Sequence, residues 1–433
     1  MIRTAGVCVR AALVTALAAC LGACSGGEGR GSTPPPYGTA RAWGGNFNGQ
    51  LGDGTFMDSF TPVQVVDSSD PMGLLTGATA VAAGRVHTVA LLGDGTLRAW
   101  GDNFYGQLGG DTFMDSSTPV QVVDPSDSTG LLTGVTAVAG GWSHTVAVLG
   151  DGTLRAWGDN FYGQLGDGTI TNSSTPVQVV DPSDTMGLLT GVTAIAPGFR
   201  HTVALLGDDT LRAWGNNFYG QLGDGMFTDS STPVQVVDPS DPTGFLSGVI
   251  WVATGGVHTV AVLGDGTVRA WGAGGLLGDR TTVDSSSPVR VVDPGDPTGF
   301  LTGVIAVAAG AAHTVALLGD GTVRAWGSNG DGQLGDGTTV ESSIPVQVVD
   351  PSDPTGLLTG VTAVATLGYH TVALLADSTL RAWGYNSGGL LGGGSNSDFS
   401  STPVQVVDPS DPTGFLTGVA AVAPGEFHAV ALR

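Results

Sequence analysis

Seven histidines, His87, His144, His201, His258, His313, His370 and His428, recur at a near-constant interval, each at the head of a short apolar run. Imidazole is a common metal ligand and a proton carrier near neutral pH, so a ring of seven admits a metal or proton-transfer site. The same position in every repeat would also hold neighbouring imidazoles apart, and that placement reads as a hydrogen-bonded structural role. Aspartates recur in pairs such as Asp124 with Asp127 and Asp350 with Asp353. Paired carboxylates in one loop invite calcium, but Asp-x-x-Asp interrupted by proline has few ligands for that ion, and turn capping accounts for them too.

Seven arginines, from Arg41 to Arg381, each stand two residues before a tryptophan in the motif Arg-Ala-Trp-Gly. Residues i and i+2 leave a strand on one face, which invites stacking of guanidinium on aromatic rings, and a structural role is expected for the repeated pair. No repeat carries an odd cysteine, an acid pair the others lack, a Gly-x-Ser-x-Gly elbow or a phosphate-binding loop. The chain reads as no enzyme, with no cofactor and no metal centre.

These residues are positioned by a repeat. The tryptophans Trp43, Trp100, Trp157, Trp214, Trp271, Trp326 and Trp383 follow one another at 57, 57, 57, 57, 55 and 57 residues. A fixed period of this size marks units that bury their apolar surface only against one another. In the unit 136–180, Thr136 to Ala139 is a first strand and His144 to Leu149 a second. Leu154 to Trp157, after an Asp-Gly turn, is a third, and Pro176 to Val180 a fourth. Four short strands in each of seven units predict an all-β, seven-bladed propeller. The array opens on a third strand at Ala40 and stops after a second strand at Arg433. Pairing of Ala40–Trp43 with His428–Leu432 would close the ring through a composite blade and remove both free sheet edges.

The succession Gly-x-x-His-Thr-Val-Ala-Leu, Asp-Gly-Thr, Trp-Gly-x-Asn and Gly-Gln-Leu-Gly-Asp-Gly resembles the regulator of chromosome condensation repeat over residues 39–433. The resemblance implies a seven-bladed propeller with composite closure, and action through protein surfaces. It does not single out a function, because that repeat serves as an exchange factor, a photoreceptor and an enzyme inhibitor. An insert such as 238–246 between the fourth and first strands is longer than is usual in the family.

Composition narrows the partners. The net charge is −23, all 15 basic residues are arginine, and charged residues make up 12% of the chain. Such a balance opposes nucleic acid and anionic membrane surfaces. The first residues do suggest a covalent anchor: Arg3 and Arg10, an apolar run from Ala11 to Ala19, and Leu21-Gly22-Ala23-Cys24 resemble a bacterial lipoprotein signal. Residues 1–23 are expected to be the signal peptide, Cys24 the acylated residue, 24–38 a flexible tether and 39–433 the propeller. Leu17-Ala18-Ala19-Cys20 also fits the pattern. The expected location is the bacterial outer membrane or cell surface, with the membrane met only through the lipid and the propeller a monomer.

Because the repeats are near copies, their disagreements are informative. The two residues before each histidine vary freely, from Arg85-Val86 through Trp142-Ser143 and Phe199-Arg200 to Glu426-Phe427. Phe47, Phe104, Tyr105, Phe161, Tyr162, Phe218 and Tyr219 fill the loops after Trp-Gly in the first four units and not in the last three. If these turns share one face, Phe47, Phe104, Tyr105, Trp142, Phe161, Tyr162, Phe199, Phe218 and Tyr219 form an arc suited to a protein partner at the envelope. A carbohydrate-binding module is the alternative, since aromatic rings also stack on sugars. Unequal duplication, with aromatics packed locally, would leave the same pattern without a partner.

Overall fold

A computed structural model of the chain describes residues 39–183, 185, 187–239, 241–395 and 397–433. The expected signal, the tether and Cys24 lie outside the described residues. Among the described residues, twenty-eight short strands form seven antiparallel sheets of four, the predicted propeller.

Blade 2 shows the plan: β3 (Ala78–Ala83), β4 (His87–Leu92), β5 (Leu97–Gly101) and β6 (Ser116–Gln121) pair in that order from the centre outward. Blades 3 to 7 occupy 135–178, 192–235, 249–290, 304–347 and 361–405. The inner strands surround a narrow apolar channel of about 160 Å³, lined by residues such as Ala83, Gly140, Pro197 and Ala309. Each second strand is buried on both faces, since a blade is covered by a neighbour on either side. His-Thr-Val-Ala-Leu therefore shows no polar alternation. The fourth strand is the outer edge and begins earlier than its apolar residues suggest. In blade 3 it runs from Ser173 to Gln178, with Pro176 inside it, and the ladder shifts register between Ser173 and Val177. A bulged edge strand tolerates the missing N–H of proline.

Blade 1 is composite. β1 (Ala40–Gly44) and β2 (Ser59–Gln64) come from the start of the propeller, β27 (Ala421–Pro424) and β28 (His428–Leu432) from its end. β1 pairs with β28, the pairing expected, and the register runs antiparallel from Ala40 opposite Leu432 to Gly44 opposite His428.

The repeated tryptophan joins blades rather than filling one. Trp157 is buried among Ala80, Val89, Leu97 and Leu108 of blade 2 and Val138 and Ala147 of its own blade. Its Nε1 donates to the Gln107 carbonyl of the preceding blade at 2.9 Å. Gly109, at φ +70°, lets the loop lie on the indole, where a Cβ would stand 2.8 Å from Nε1.

The histidines bind the blades into a belt. His87 Nε2 lies 3.1 Å from Thr145 Oγ1 of the next blade, and Thr145 donates its proton to the Gln107 carbonyl at 3.0 Å. With that proton committed, Thr145 can only accept from His87, so Nε2 carries the hydrogen and Nδ1 keeps a buried, unpartnered lone pair. The same contact recurs from His144, His201, His258, His313 and His428.

His370 breaks the pattern, because Ala429 occupies the threonine position of blade 1. Its Nε2 has no hydrogen-bond partner among the described residues. Ala429→Thr should complete the belt, accepting from His370 and donating to the Leu390 carbonyl that already receives Trp43 Nε1. We expect a gain of about 1 kcal/mol in a denaturant melt. A loss would mean that the added methyl group finds no room in this seam.

Candidate protein-interaction face

Strand direction decides which loops meet. The connections from first to second strand, which precede each histidine, and from third to fourth strand, which follow Trp-Gly, open on one face of the ring. The Asp-Gly turns and the acidic inserts open on the other. The variable positions identified in the sequence therefore do share a face. At its centre, backbone bonds step from blade to blade: Glu426 N to Arg85 O, Arg85 N to Trp142 O, Trp142 N to Gly198 O and Phe199 N to Gly255 O.

Each post-tryptophan loop is organised by the asparagine of Trp-Gly-x-Asn. In blade 2, Asn103 Oδ1 accepts from Leu108 N at 3.0 Å, while Nδ2 donates to the Thr112 and Met114 carbonyls at 3.0 Å. Its backbone N–H donates to Asp115 at 2.8 Å. Asn46, Asn160 and Asn217 do the same work in blades 1, 3 and 4. Thus held, the loops present Phe104, Phe161 and Phe218 at 72%, 69% and 70% exposure. Each meets a half-buried tyrosine edge to face, with centroids 4.9 to 5.0 Å apart. Phe47 is also exposed and packs edge-on against Phe427. Phe56, Met57, Phe113 and Met114 extend this exposed apolar surface along the same loops.

Inward of the loops, the residues before the histidines form a connected cluster. Trp142 and Phe199 stack with centroids 4.8 Å apart. Arg200 lies over Trp142 at 5.2 Å and over Tyr162 at 5.0 Å, and donates to the Tyr162 hydroxyl at 3.1 Å. Arg85 lies over Trp142 and Phe427. Glu426 accepts from Trp142 Nε1 at 2.6 Å and from Arg85 Nε at 3.1 Å. Burial raises the Glu426 pKa, and the bonds from Trp142 and Arg85 oppose that rise. Beside this cluster, Gly256 and Val257 of blade 5 leave a groove of about 390 Å³, walled by Phe199, Arg200, Phe218 and Tyr219.

All nine residues anticipated from the sequence thus lie on one face within blades 1 to 4. Trp142, Tyr162 and Phe199 join through Arg200, whereas Phe47, Phe104, Phe161 and Phe218 stand along the outer loops. Arg85, Arg200, Glu426 and Phe427 belong to the cluster as well. Their divergence among repeats was a visible signal, but the partners that select them lie in other blades.

On the opposite face, the aspartates of the inserts are engaged by their own turns. Asp124 Oδ1 accepts from Ser126 N and Oγ, and Asp127 Oδ1 from Thr129 N and Oγ1. The repeated arginine departs from the stacking that the spacing in Arg-Ala-Trp invites. Arg98, Arg155 and Arg381 turn to Asp67, Asp124 and Asp350 of the preceding inserts at 3.6 to 4.0 Å. The tryptophan, buried against the preceding blade, has no free ring face to offer them.

Comparison with known proteins agrees with this architecture. A family model described as the RCC1-like domain matches residues 36–296, and models of the regulator of chromosome condensation (RCC1) repeat match 304–333 and 320–374. The ultraviolet-B receptor UVR8 of Arabidopsis thaliana is 36% identical over 253 residues, 58% of this chain and 53% of that protein. The human E3 ubiquitin-protein ligase HERC2 is 31% identical over 357 residues, 79% of this chain and 7% of the ligase. The chain thus spans about half of the first relative and a small part of the second. Among solved structures, yeast RCC1 (Prp20) bound to Kap60 superposes with a TM-score of 0.73 at 19% identity over 96% of both chains. Human WBSCR16 superposes with a TM-score of 0.72 at 24% identity, over 91% of this chain and 98% of its own.

Proposed function

We infer that this chain, which belongs to the RCC1-like domain family, is a non-catalytic protein-binding scaffold acting through the aromatic face of blades 1 to 4. The observation that carries the reading is the asymmetry of near-identical units. Four contiguous loops hold phenylalanines at 60% exposure or more on a hydrogen-bonded frame, while the equivalent loops of blades 5 and 6 have no aromatic residue and that of blade 7 ends on Phe399, exposed to 42%. Anchors held in place before contact lose little freedom on binding, and exposed aromatic side chains are the usual anchors of interfaces. Yeast RCC1 (Prp20), which shares this fold, was solved bound to another protein, Kap60.

We further propose that the scaffold works at a bacterial cell envelope, tethered through Cys24 and residues 25–38, and that it inhibits its partner. The support is the lipoprotein-like run that ends at Cys24.

Crosslinking and affinity capture from the native envelope tests both parts, with the acylated peptide identified by mass spectrometry in the same sample. Phe104→Ser, Phe161→Ser and Phe218→Ser together should weaken capture by more than a hundredfold, at about 1 to 2 kcal/mol for each lost anchor. The melting temperature should change little, because all three rings face solvent. Undiminished capture by the triple variant would sink the interface. Binding of a glycan array with no protein captured would favour the carbohydrate reading.

A further inference from the structure

The near-identical loops of blades 2 and 3 act as an internal control. In blade 3, Arg200 reaches across from blade 4 and lies over Tyr162, 5.0 Å from the ring centre, beside Asp159. In blade 2, Tyr105 meets Phe104 in the same edge-to-face geometry that Tyr162 shows with Phe161. The residue of blade 3 equivalent to Arg200 is Ser143, which is too short to cover Tyr105. The acids differ as well. Blade 2 has Asp102 and Asp115 where blade 3 has Asp159 and Asn172. An acid at the second place is the rule of the repeat, as in Asp58, Asp229, Asp284 and Glu341, so blade 2 keeps a carboxylate that blade 3 replaces with Asn172.

The two carboxylates of blade 2 are held together. Asn48 of blade 1 donates from Nδ2 to Asp115 Oδ2 at 2.8 Å and to Asp102 Oδ1 at 3.5 Å. Gln107 Nε2 donates to Asp102 Oδ2 at 2.5 Å. Among the described residues no ion pair reaches either group, and Arg85, the nearby cation, is joined to Glu426. Burial, and then the charge of Asp115, push the Asp102 pKa up, while the bonds from Phe104 N–H and Gln107 and the charge of Arg85 oppose that rise.

We propose that Tyr105, Asp102 and Asp115 form a vacant seat for the guanidinium of an arginine on a partner protein, in the place and manner that Arg200 takes over Tyr162. The proposal rests on the protein-binding reading above and names the chemistry of one contact within it. The aromatic ring supplies a cation–π face, the carboxylates supply charge-assisted acceptors, and exposed Phe104 offers apolar contact to the residues flanking the arginine. Every charged residue in the four post-tryptophan loops of blades 1 to 4 is an aspartate, so the rim around the seat also favours a cationic segment. A second copy of this chain, at net charge −23, is a poor donor of that segment.

The test uses the full chain and a synthetic decapeptide alternating arginine and leucine, titrated calorimetrically beside its glutamate–leucine counterpart. The arginine peptide should bind and weaken with added salt, and the glutamate peptide should not bind. Ser143→Arg should seat its own guanidinium over Tyr105 and weaken the peptide about tenfold. Asp102→Asn should do likewise, and Arg200→Ser, by opening a second seat, should strengthen it. Circular dichroism would verify that each variant is folded. Failure of the arginine peptide to bind, equal binding of the glutamate peptide, or unchanged affinity in folded Ser143→Arg would overturn the seat. If the envelope partner is still captured in a manner that Phe104, Phe161 and Phe218 control, the scaffold reading survives that failure.

Discussion

Acidification from pH 7 to pH 5 is expected to unfold the propeller cooperatively. All seven histidines are buried, and burial lowers their pKa values to about 3, or about 4 for His258, from an ordinary 6.5. Their Nδ1 atoms have no partner among the described residues to receive a proton's charge, and in the six that bond a threonine Nε2 is already protonated, so the native belt requires neutral imidazole. Below pH 6.5 the unfolded chain takes up protons that the folded chain refuses. Stability is then complete above that pH and falls as pH drops toward 3. At pH 5 the loss is about 2 kcal/mol for each histidine, on the order of 14 kcal/mol for the belt, comparable with the whole stability of a typical domain. The window from pH 6.5 to 5 lies above the range in which the low-pKa aspartates of the turns titrate. Melting followed by circular dichroism across that window should show a steep fall. A melting temperature unchanged at pH 5 would show that the imidazoles accept protons in place.

Removing residues 428–433 should be as damaging. β28 contributes Val430 and Leu432 to the core shared by blades 1 and 2, each worth about 1.5 to 3 kcal/mol of burial. The deletion also removes the link from His428 to Thr88 and the ion pairs of Arg433 with Asp408 and Asp411. What remains is two open sheet edges, where β1 and β27 faced β28. The truncated chain should aggregate or melt broadly. A circular permutant is the control, because Thr39 and Arg433 already exchange backbone hydrogen bonds at 3.2 and 3.3 Å. Joining these ends through a short glycine link and reopening the chain in an exposed insert should leave the melt close to that of the parent. A truncated chain that still melts sharply within a few degrees of the parent would show that closure contributes little.

The face described here is distinguished by presentation rather than by reactivity. Its chemistry is that of anchors, Phe104 and its equivalents, and of cations seated on rings, as Arg200 is on Tyr162. Export and lipid attachment are proposed on residues before Thr39, and mass spectrometry of the acylated peptide is their test. The propeller stands apart from that question, since its belt, its interblade tryptophans and its closure all lie within residues 39–433.

Much of this was legible in the chain itself. The interval between tryptophans counted the blades, the Asp-Gly turns marked the hairpins, and the half-unit offset of Ala40 and Arg433 foretold the composite blade. Each of these is a property of one repeat or of its spacing, and strand alternation and turn chemistry act over a few residues. Tertiary structure alone decided what one blade does to the next. It sent the repeated arginines to Asp67 and Asp124 instead of to the neighbouring indoles, paired His87 with Thr145 and left His370 opposite Ala429. It also carried Glu426 to Trp142, 284 residues away in the chain. Such contacts depend on how two copies are rotated against each other around the ring, a relation that no spacing within a single copy records.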